Sequence, residues 1–250
     1  MRLNGAVVLL TGASSGIGAA AATRLARVGA RLVLSGRDQE RLAALASQLD
    51  AHAVVADLTE PDAAAGLVAR ASEPHGRIDV LISNAGAGWA GAFATMPPED
   101  LDRVVALNLL APARLARAVL PGMLTRGCGH LVFVSSIAGY VGVREEAAYA
   151  AAKAGLNTLA ESLRLEVAAA GLSVSVLAPG VVDTEFFQRR GVPYRRGTPK
   201  PIPAGVVADA LVRAVERDQA ETFTPGWLRL PARLRGAVPG VFRAGASRFG

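Results

Sequence analysis

Six short runs of β-branched and leucine-rich residues recur along the chain, at Ala6–Leu10, Arg31–Ser35, Ala53–Ala56, Ile78–Ser83, Leu131–Ser135 and Ser173–Leu177. Between and after them lie segments of helical character at Gly16–Val28, Gln39–Leu49, Pro61–Ala71, Glu99–Leu120, Glu146–Ala170 and Ala204–Arg217. This alternation constrains the fold more than any other feature. Apolar strands separated by amphipathic helices predict right-handed βαβ crossovers and an α/β architecture, with a parallel sheet covered on both faces. No composition break or linker interrupts the pattern, which predicts one domain over residues 1–250.

Hydrophobic residues make up 51% of the chain and charged residues 19%, which excludes extended disorder. The opening apolar run is too short for a signal peptide or a membrane span, and glycine-rich sequence follows at once, so a soluble, cytoplasmic protein is expected. A single cysteine, Cys128, fits a reducing compartment. The net charge of +6 is unevenly placed, because residues 186–200 and 222–250 each carry five basic and no acidic side chains. The body without them is mildly acidic. Neither basic patch has a nucleic-acid motif around it, so no nucleic-acid partner is expected.

The first strand runs into T-G-A-S-S-G-I-G, Thr11 to Gly18, and a helix begins inside the motif. Glycines at 12, 16 and 18 let the backbone turn sharply and admit a pyrophosphate to the helix N-terminus, where free amides and the dipole favour an anion. The spacing is G-x-x-x-G-x-G, and a glycine-rich turn can also be purely structural. The second strand ends S-G-R, with Gly36 where a carboxylate would meet a free ribose 2′-hydroxyl and Arg37 beside it. A cation without a carboxylate suits a 2′-phosphate, which favours NADP(H) over NAD(H). The alternative makes Asp38 a helix N-cap and Arg37 a solvated surface residue. Strand three ends at Asp57, placed to hydrogen-bond an adenine edge.

Strand four ends N-A-G, Asn84 to Gly86, and the next helix holds Asn108 among leucines, a costly position unless its amide is satisfied. Strand five delivers Ser135 and Ser136 at its C-terminal end, where ligands bind in open α/β sheets. Residues 147–155 read A-A-Y-A-A-A-K-A-G, and the chain, with 25 arginines and two lysines, here chooses lysine. Four residues apart on a helix, the Tyr149 hydroxyl and the Lys153 ammonium can enter one pocket. A tyrosine used as a proton shuttle near neutrality needs its pKa lowered by about 2–3 units, and a fixed ammonium is the right kind of cause.

In this order and spacing the motifs, closing with P-G-V-V-D-T at residues 179–184, resemble the short-chain dehydrogenase/reductase family from about Leu3 to Asp218. The resemblance implies a single-domain, Rossmann-type, doubly wound parallel sheet of about seven strands, the seventh at Glu221–Thr224. It implies an NADP(H)-dependent oxidoreductase interconverting a carbonyl and an alcohol, with Asn108, Ser136, Tyr149 and Lys153 catalytic and Ser135 structural. It further implies cofactor contacts from Gly12, Ser14, Ser15, Gly16, Ile17 and Gly18, from Arg37, Asp57 and Leu58, from Asn84, Ala85 and Gly86, from Tyr149 and Lys153, and from Pro179, Gly180, Val182 and Thr184. Thr184 would meet the nicotinamide carboxamide. No metal is implied.

Trp89, Ile137, Tyr140, Val143, Phe186, Phe187 and Tyr194 are the candidates for the substrate side, and they suggest a hydrophobic ketone, aldehyde or secondary alcohol. The basic, proline-interrupted extension 224–250 is expected to pack on the domain or a partner subunit, with contact to an anionic membrane surface as the lesser alternative. Small residues on several faces of the Ala-rich helix, with the family's habit, predict a homodimer or homotetramer. A nucleotide-binding regulator without turnover is the competing reading, and it has no need to keep the four catalytic residues together. A dehydratase or epimerase of the same fold would need room for a longer C-terminal substrate domain.

Overall fold

The computed structural model describes residues 1–194 and 198–240. Along the chain it contains β1 (Val7–Thr11), α1 (Gly16–Arg27), β2 (Arg31–Gly36), α2 (Gln39–Gln48), β3 (His52–Val55), α3 (Ala63–Ser72) and β4 (Val80–Ser83). These are followed by α4 (Pro98–Val105), α5 (Ala111–Arg126), β5 (Gly129–Val134), α6 (Ala147–Val167), β6 (Leu172–Pro179) and β7 (Val182–Asp183). The last described elements are α7 (Phe186–Arg189), β8 (Ile202–Pro203), α8 (Ala204–Glu216), β9 (Glu221–Thr224) and α9 (Arg229–Ala237). Seven strands form one parallel sheet in the order β3-β2-β1-β4-β5-β6-β9, and β7 and β8 make a separate short parallel pair.

Alternate residues of each central strand serve opposite faces. In β1, Val7 and Leu9 pack with Leu67, Leu115 and Leu156 of α3, α5 and α6, whereas Val8 and Leu10 pack with Leu25, Leu42 and Leu211 of α1, α2 and α8. Every β1 residue is buried, as double coverage requires. Full burial of such a side chain stabilises by roughly 1.5–3 kcal/mol, so two faces are needed to offset the chain entropy of a domain this size.

Some boundaries differ from those expected. The fourth strand begins at Val80, not Ile78, because Asp79 Oδ2 accepts from the Val7 amide at 2.9 Å and takes the place of a ladder bond. The expected helix 99–120 starts at Pro98, which needs no amide partner in the first turn, and continues through a π-helical turn at Ala106–Leu110 to Arg126. Gly127, at φ +62°, ends it in the left-handed conformation. By length and hydropathy Pro98–Arg126 could cross a bilayer, but Val104, Leu107, Leu115, Val119 and Met123 are buried inside the protein.

The sheet order reverses between β1 and β4, and both strand ends open into a crevice at the C-terminal edge, the usual ligand position in an open α/β sheet. The first three βα units carry one wall of that crevice, and β4, β5 and β6 with their following segments carry the other.

His130 on β5 is fully buried, and its Nε2 lies 2.8 Å from Ser175 Oγ. Ser175 donates its own proton to Gln219 O at 2.6 Å, so Nε2 must be the donating nitrogen, and Nδ1 has no partner among the described residues. Burial holds the His130 pKa down to about 4. The unfolded chain therefore takes up a proton below its ordinary pKa of 6.5 while the folded chain refuses it. This group's contribution is present above that value and is lost as the pH falls toward about 4, by about 3 kcal/mol. Urea unfolding across this range measures it, and His130→Leu should remove that part of the slope; an unchanged slope in the variant overturns the assignment.

Candidate active site

The crevice is a cleft of about 1330 Å³ with two chemically different ends. At one end Ser14, Ser15, Gly16 and Ile17 lead from β1 into α1. Ser15 occupies the N-cap position with extended backbone, yet its side chain does not cap the helix, so the first amides of α1 have no side-chain acceptor. Gly12 and Gly18 are required by packing. A Cβ on Gly18 would stand 2.0 Å from Gly12 O, and one on Gly12 would stand 2.9 Å from Ala85 Cα. Thr184 closes on this turn from the other wall, since a Cβ on Gly16 would meet Thr184 Cγ2 at 3.1 Å.

At the end of β2, Gly36 leaves room beside Ser14, whose Oγ would lie 3.1 Å from any Cβ placed there. Asp38 is the N-cap of α2: its Oδ1 accepts from the Arg41 amide at 3.0 Å. Arg37 lines the cleft half-exposed, with its nearest carboxylate, Asp57, at 3.9 Å. Asp57, at the end of β3, has its Oδ1 accepting from Thr59 N and Thr59 Oγ1, while its Oδ2 meets only Arg37, at 3.9 Å, among the described residues. Those bonds, with Arg37, outweigh the upward pull of burial and lower its pKa. Leu58 does line the cleft. A dinucleotide fits this end: an uncapped helix start faces a glycine-lined turn, and Arg37 has only a long-range partner among the described residues.

At the other end Asn108, Ser136, Tyr149 and Lys153 come together from a π-helical turn, the end of β5 and the first turns of α6. Lys153 is buried, its Nζ donating to Val134 O at 2.8 Å and lying 5.8 Å from the Tyr149 ring centroid. Asn108 donates from Nδ2 to Ala87 O at 2.7 Å and Val104 O at 2.8 Å. Its buried Oδ1 accepts no hydrogen bond among the described residues. Both groups border Gly86, where an added Cβ would meet Asn108 Oδ1 at 2.7 Å and Lys153 Nζ at 3.8 Å. Ser136 accepts from Ala138 N at 3.1 Å, which fixes its backbone turn, while Ser135 is buried behind it.

The protein's own groups do not give the expected lowering of the tyrosine pKa. Burial raises the Tyr149 pKa above its ordinary value; Glu146 adds to this, whereas hydrogen bonding with Ser136 and the charge of Arg190 oppose it. Burial also drives the Lys153 pKa down to about 7, so its charge is itself only half present at neutrality. Desolvation prevails over charge pairing at both residues.

Asn84 serves the protein more than the cleft. Its Nδ2 donates to Thr11 O and Gly12 O, and its backbone amide and that of Ala85 both donate to Thr11 Oγ1 at 3.1 Å. Ala85, Gly86, Pro179, Gly180 and Val182 line the cleft as expected.

On the substrate side Ile137, Val143, Phe186, Phe187 and Tyr194 are in place. Trp89 and Tyr140 are not. Tyr140 turns away to stack on Phe223, centroids 4.9 Å apart, and to donate to Glu221 Oε1 at 2.7 Å. Two other features here have no local signature in the sequence. Arg190 and Glu146 form an ion pair of 2.5 Å inside the wall, their side chains 7% and 18% exposed, with the guanidinium over the Phe187 ring. Trp227, Leu228 and Pro231 of the C-terminal extension complete the wall, and Arg235 donates to Tyr140 O at 2.7 Å, so the extension packs on the domain as far as it is described. Arg195 and Arg196 of the first basic patch, and Phe242 and Arg243 of the second, lie outside the described residues.

Residues 6–193 match the family model for short chain dehydrogenases. The dehydrogenase/reductase SDR family member 7B of Bos taurus is 34% identical, over 97% of this chain and 81% of its own. A short-chain dehydrogenase from Sphingobium yanoikuyae in complex with NADPH superposes with a TM-score of 0.84 at 35% identity, covering 97% of this chain and 95% of that one. A short chain dehydrogenase/reductase from Burkholderia phymatum in complex with NAD gives a TM-score of 0.86 at 26% identity, with 94% of each chain covered. With the glycine-lined turn, the four converging side chains and these matches in agreement, the chain belongs to the short-chain dehydrogenase/reductase family and is an oxidoreductase.

Proposed function

We propose that the protein is an NADP(H)-dependent reductase of hydrophobic ketones or aldehydes, running as a secondary-alcohol dehydrogenase in reverse. The observation that carries the reading is the meeting of Ser136, Tyr149, Lys153 and Asn108 at the closed end of a cleft whose open end presents Arg37 beside Gly36. The Sphingobium neighbour's NADPH supports the choice of cofactor.

When bound, the nicotinamide cofactor supplies or accepts the hydride. The chain's own residues handle the proton and the oxygen. A raised pKa keeps Tyr149 protonated at neutral pH, in the form that donates to a carbonyl oxygen. Ser136, hydrogen-bonded to the Tyr149 hydroxyl, is placed to donate to the same oxygen and stabilise charge developing there. Lys153, titrating near 7, can hand a proton toward Tyr149, and the bare Oδ1 of Asn108 is the acceptor that would hold a water on that route. Ile137, Val143, Phe186, Phe187 and Trp227 give the substrate an apolar wall.

The reading includes a cytoplasmic location, consistent with the free, exposed Cys128. It also includes a homodimer or homotetramer, supported by exposed Leu110 and Leu124 on the α4–α5 helix and Leu165 on α6. Sedimentation at micromolar concentration should show no monomer.

NADPH oxidation against a panel of apolar ketones and aldehydes tests the activity. Tyr149→Phe should lower kcat/KM by about 10²–10⁴-fold, and a variant as fast as the native enzyme removes the proton-donor role. Arg37→Ala should weaken NADPH but not NADH; equal loss of both overturns the 2′-phosphate assignment. In the reductive direction kcat/KM should fall as the pH rises through about 7, where Lys153 loses its proton. A flat profile from about pH 6 to 9 contradicts that role.

A further inference from the structure

Two consecutive arginines after β7 point to opposite ends of the cleft. Arg190 turns inward to Glu146, whereas Arg189 turns to the phosphate end and its Nη1 donates to Ser15 Oγ at 3.1 Å. That contact joins residues 174 positions apart, across the mouth of the crevice. It also accounts for the uncapped start of α1, because the Ser15 hydroxyl faces the guanidinium and not the helix amides. Arg189 Nη2 is held by Glu185 Oε2 at 2.5 Å, and Arg41 Nη1 on α2 donates to both oxygens of Glu185 at 3.0 Å. The hydrogen bonds from Arg41 and Arg189 keep Glu185 ionised by lowering its pKa. Arg41 also pairs with Asp38 at 3.3 Å, so its charge is taken up on α2, and Glu185 and Arg189 line the cleft beside Ser15 and Gly16.

We propose that Arg189 is a cofactor-binding residue that donates to the dinucleotide's diphosphate from above, opposite the amides of α1, and that Glu185, braced by Arg41, positions it. This rests on the dinucleotide reading of the cleft. The diphosphate is the one anionic group shared by NADPH and NADH, and a guanidinium already within reach of the Ser15 hydroxyl can bond two of its oxygens without moving far. The half-exposed ion pairs that hold Arg189 contribute little stability individually, so the arrangement is better explained by orientation than by folding. The strap from Thr184 to Arg190 thereby carries Arg189 to the glycine-rich end of the cleft and Arg190 to the wall of the other end.

Titration of NADPH and NADH fluorescence on the full chain tests the assignment without turnover. Arg189→Ala should weaken both cofactors by the same factor, about five- to tenfold at low salt, with less difference at high salt, and Arg189→Lys should recover part of it. Thermal unfolding should be unchanged, because the Arg189 side chain is half-exposed. Arg37→Ala, in contrast, should spare NADH. If Arg189→Ala binds both cofactors like the native chain, the inference is overturned while the cofactor reading stands. If it weakens NADPH alone, Arg189 serves the 2′-phosphate and the diphosphate assignment is wrong. If the native chain binds neither cofactor, both readings fall.

Discussion

The joint between the ends of β1 and β4 is the constraint on which the rest depends. Four hydrogen bonds meet there: the Asn84 amide holds the carbonyls of Thr11 and Gly12, and the Thr11 hydroxyl receives the amides of Asn84 and Ala85. Thr11 is fully buried, so these groups would be costly if left unpaired. The two strands belong to opposite halves of the doubly wound sheet, one leading to the glycine-rich turn and the other to Gly86 beside Asn108 and Lys153. Fixing their ends fixes the distance between the glycine-rich turn and the cluster of Asn108, Ser136, Tyr149 and Lys153. The close packing of Gly18 on Gly12 O sets the angle at which α1 leaves.

The chemistry at the far end is governed by water exclusion before charge. Lys153 sits within 5.8 Å of the Tyr149 ring centroid, yet burial moves each pKa toward its uncharged form. The result is an acid that holds its proton at neutrality and a base that exchanges one there, two groups tuned in opposite directions by the same environment. A cationic neighbour does less than the sequence suggests, because it must first keep its own charge against the same desolvation. Asn108 contributes by what it leaves open: a π-helical turn turns its amide so that, among the described residues, Nδ2 is satisfied twice and Oδ1 has no partner.

The parallel sheet, its helices and the convergence of the four polar side chains were legible because each follows from local rules. Strand runs, helix periodicity, and four-residue spacing on a helix face are properties of adjacent residues. What escaped depended on distant partners. Tyr140 reads as pocket lining until Phe223 and Glu221, from the last strand, are seen to claim both its ring and its hydroxyl. The Arg190–Glu146 pair and the wall supplied by Trp227 join residues far apart in the chain and carry no local signature.

Why an arginine-rich chain places lysine at 153 now has a physical answer. The side chain ends in a buried slot, where one ammonium donates to the carbonyl of Val134 at the end of β5. A guanidinium would bring five donors on a rigid plane into a space with one described acceptor, and it would stay charged at any accessible pH. An ammonium can lose its proton when buried, and burial drives the pKa of this one down to about 7. The same desolvation that disfavours arginine at this position brings the lysine pKa into the neutral range, as the proposed proton exchange with the tyrosine one helical turn away requires. The arginines at 37, 189 and 190 lie where fixed charge and planar geometry serve: Arg37 and Arg189 line the cleft at the glycine-rich end, and Arg190 lies over Phe187 in the wall. The division between the two kinds of cation therefore follows the division of the cleft itself, permanent charge at the glycine-rich end proposed to hold an anion and removable charge at the end proposed to move a proton.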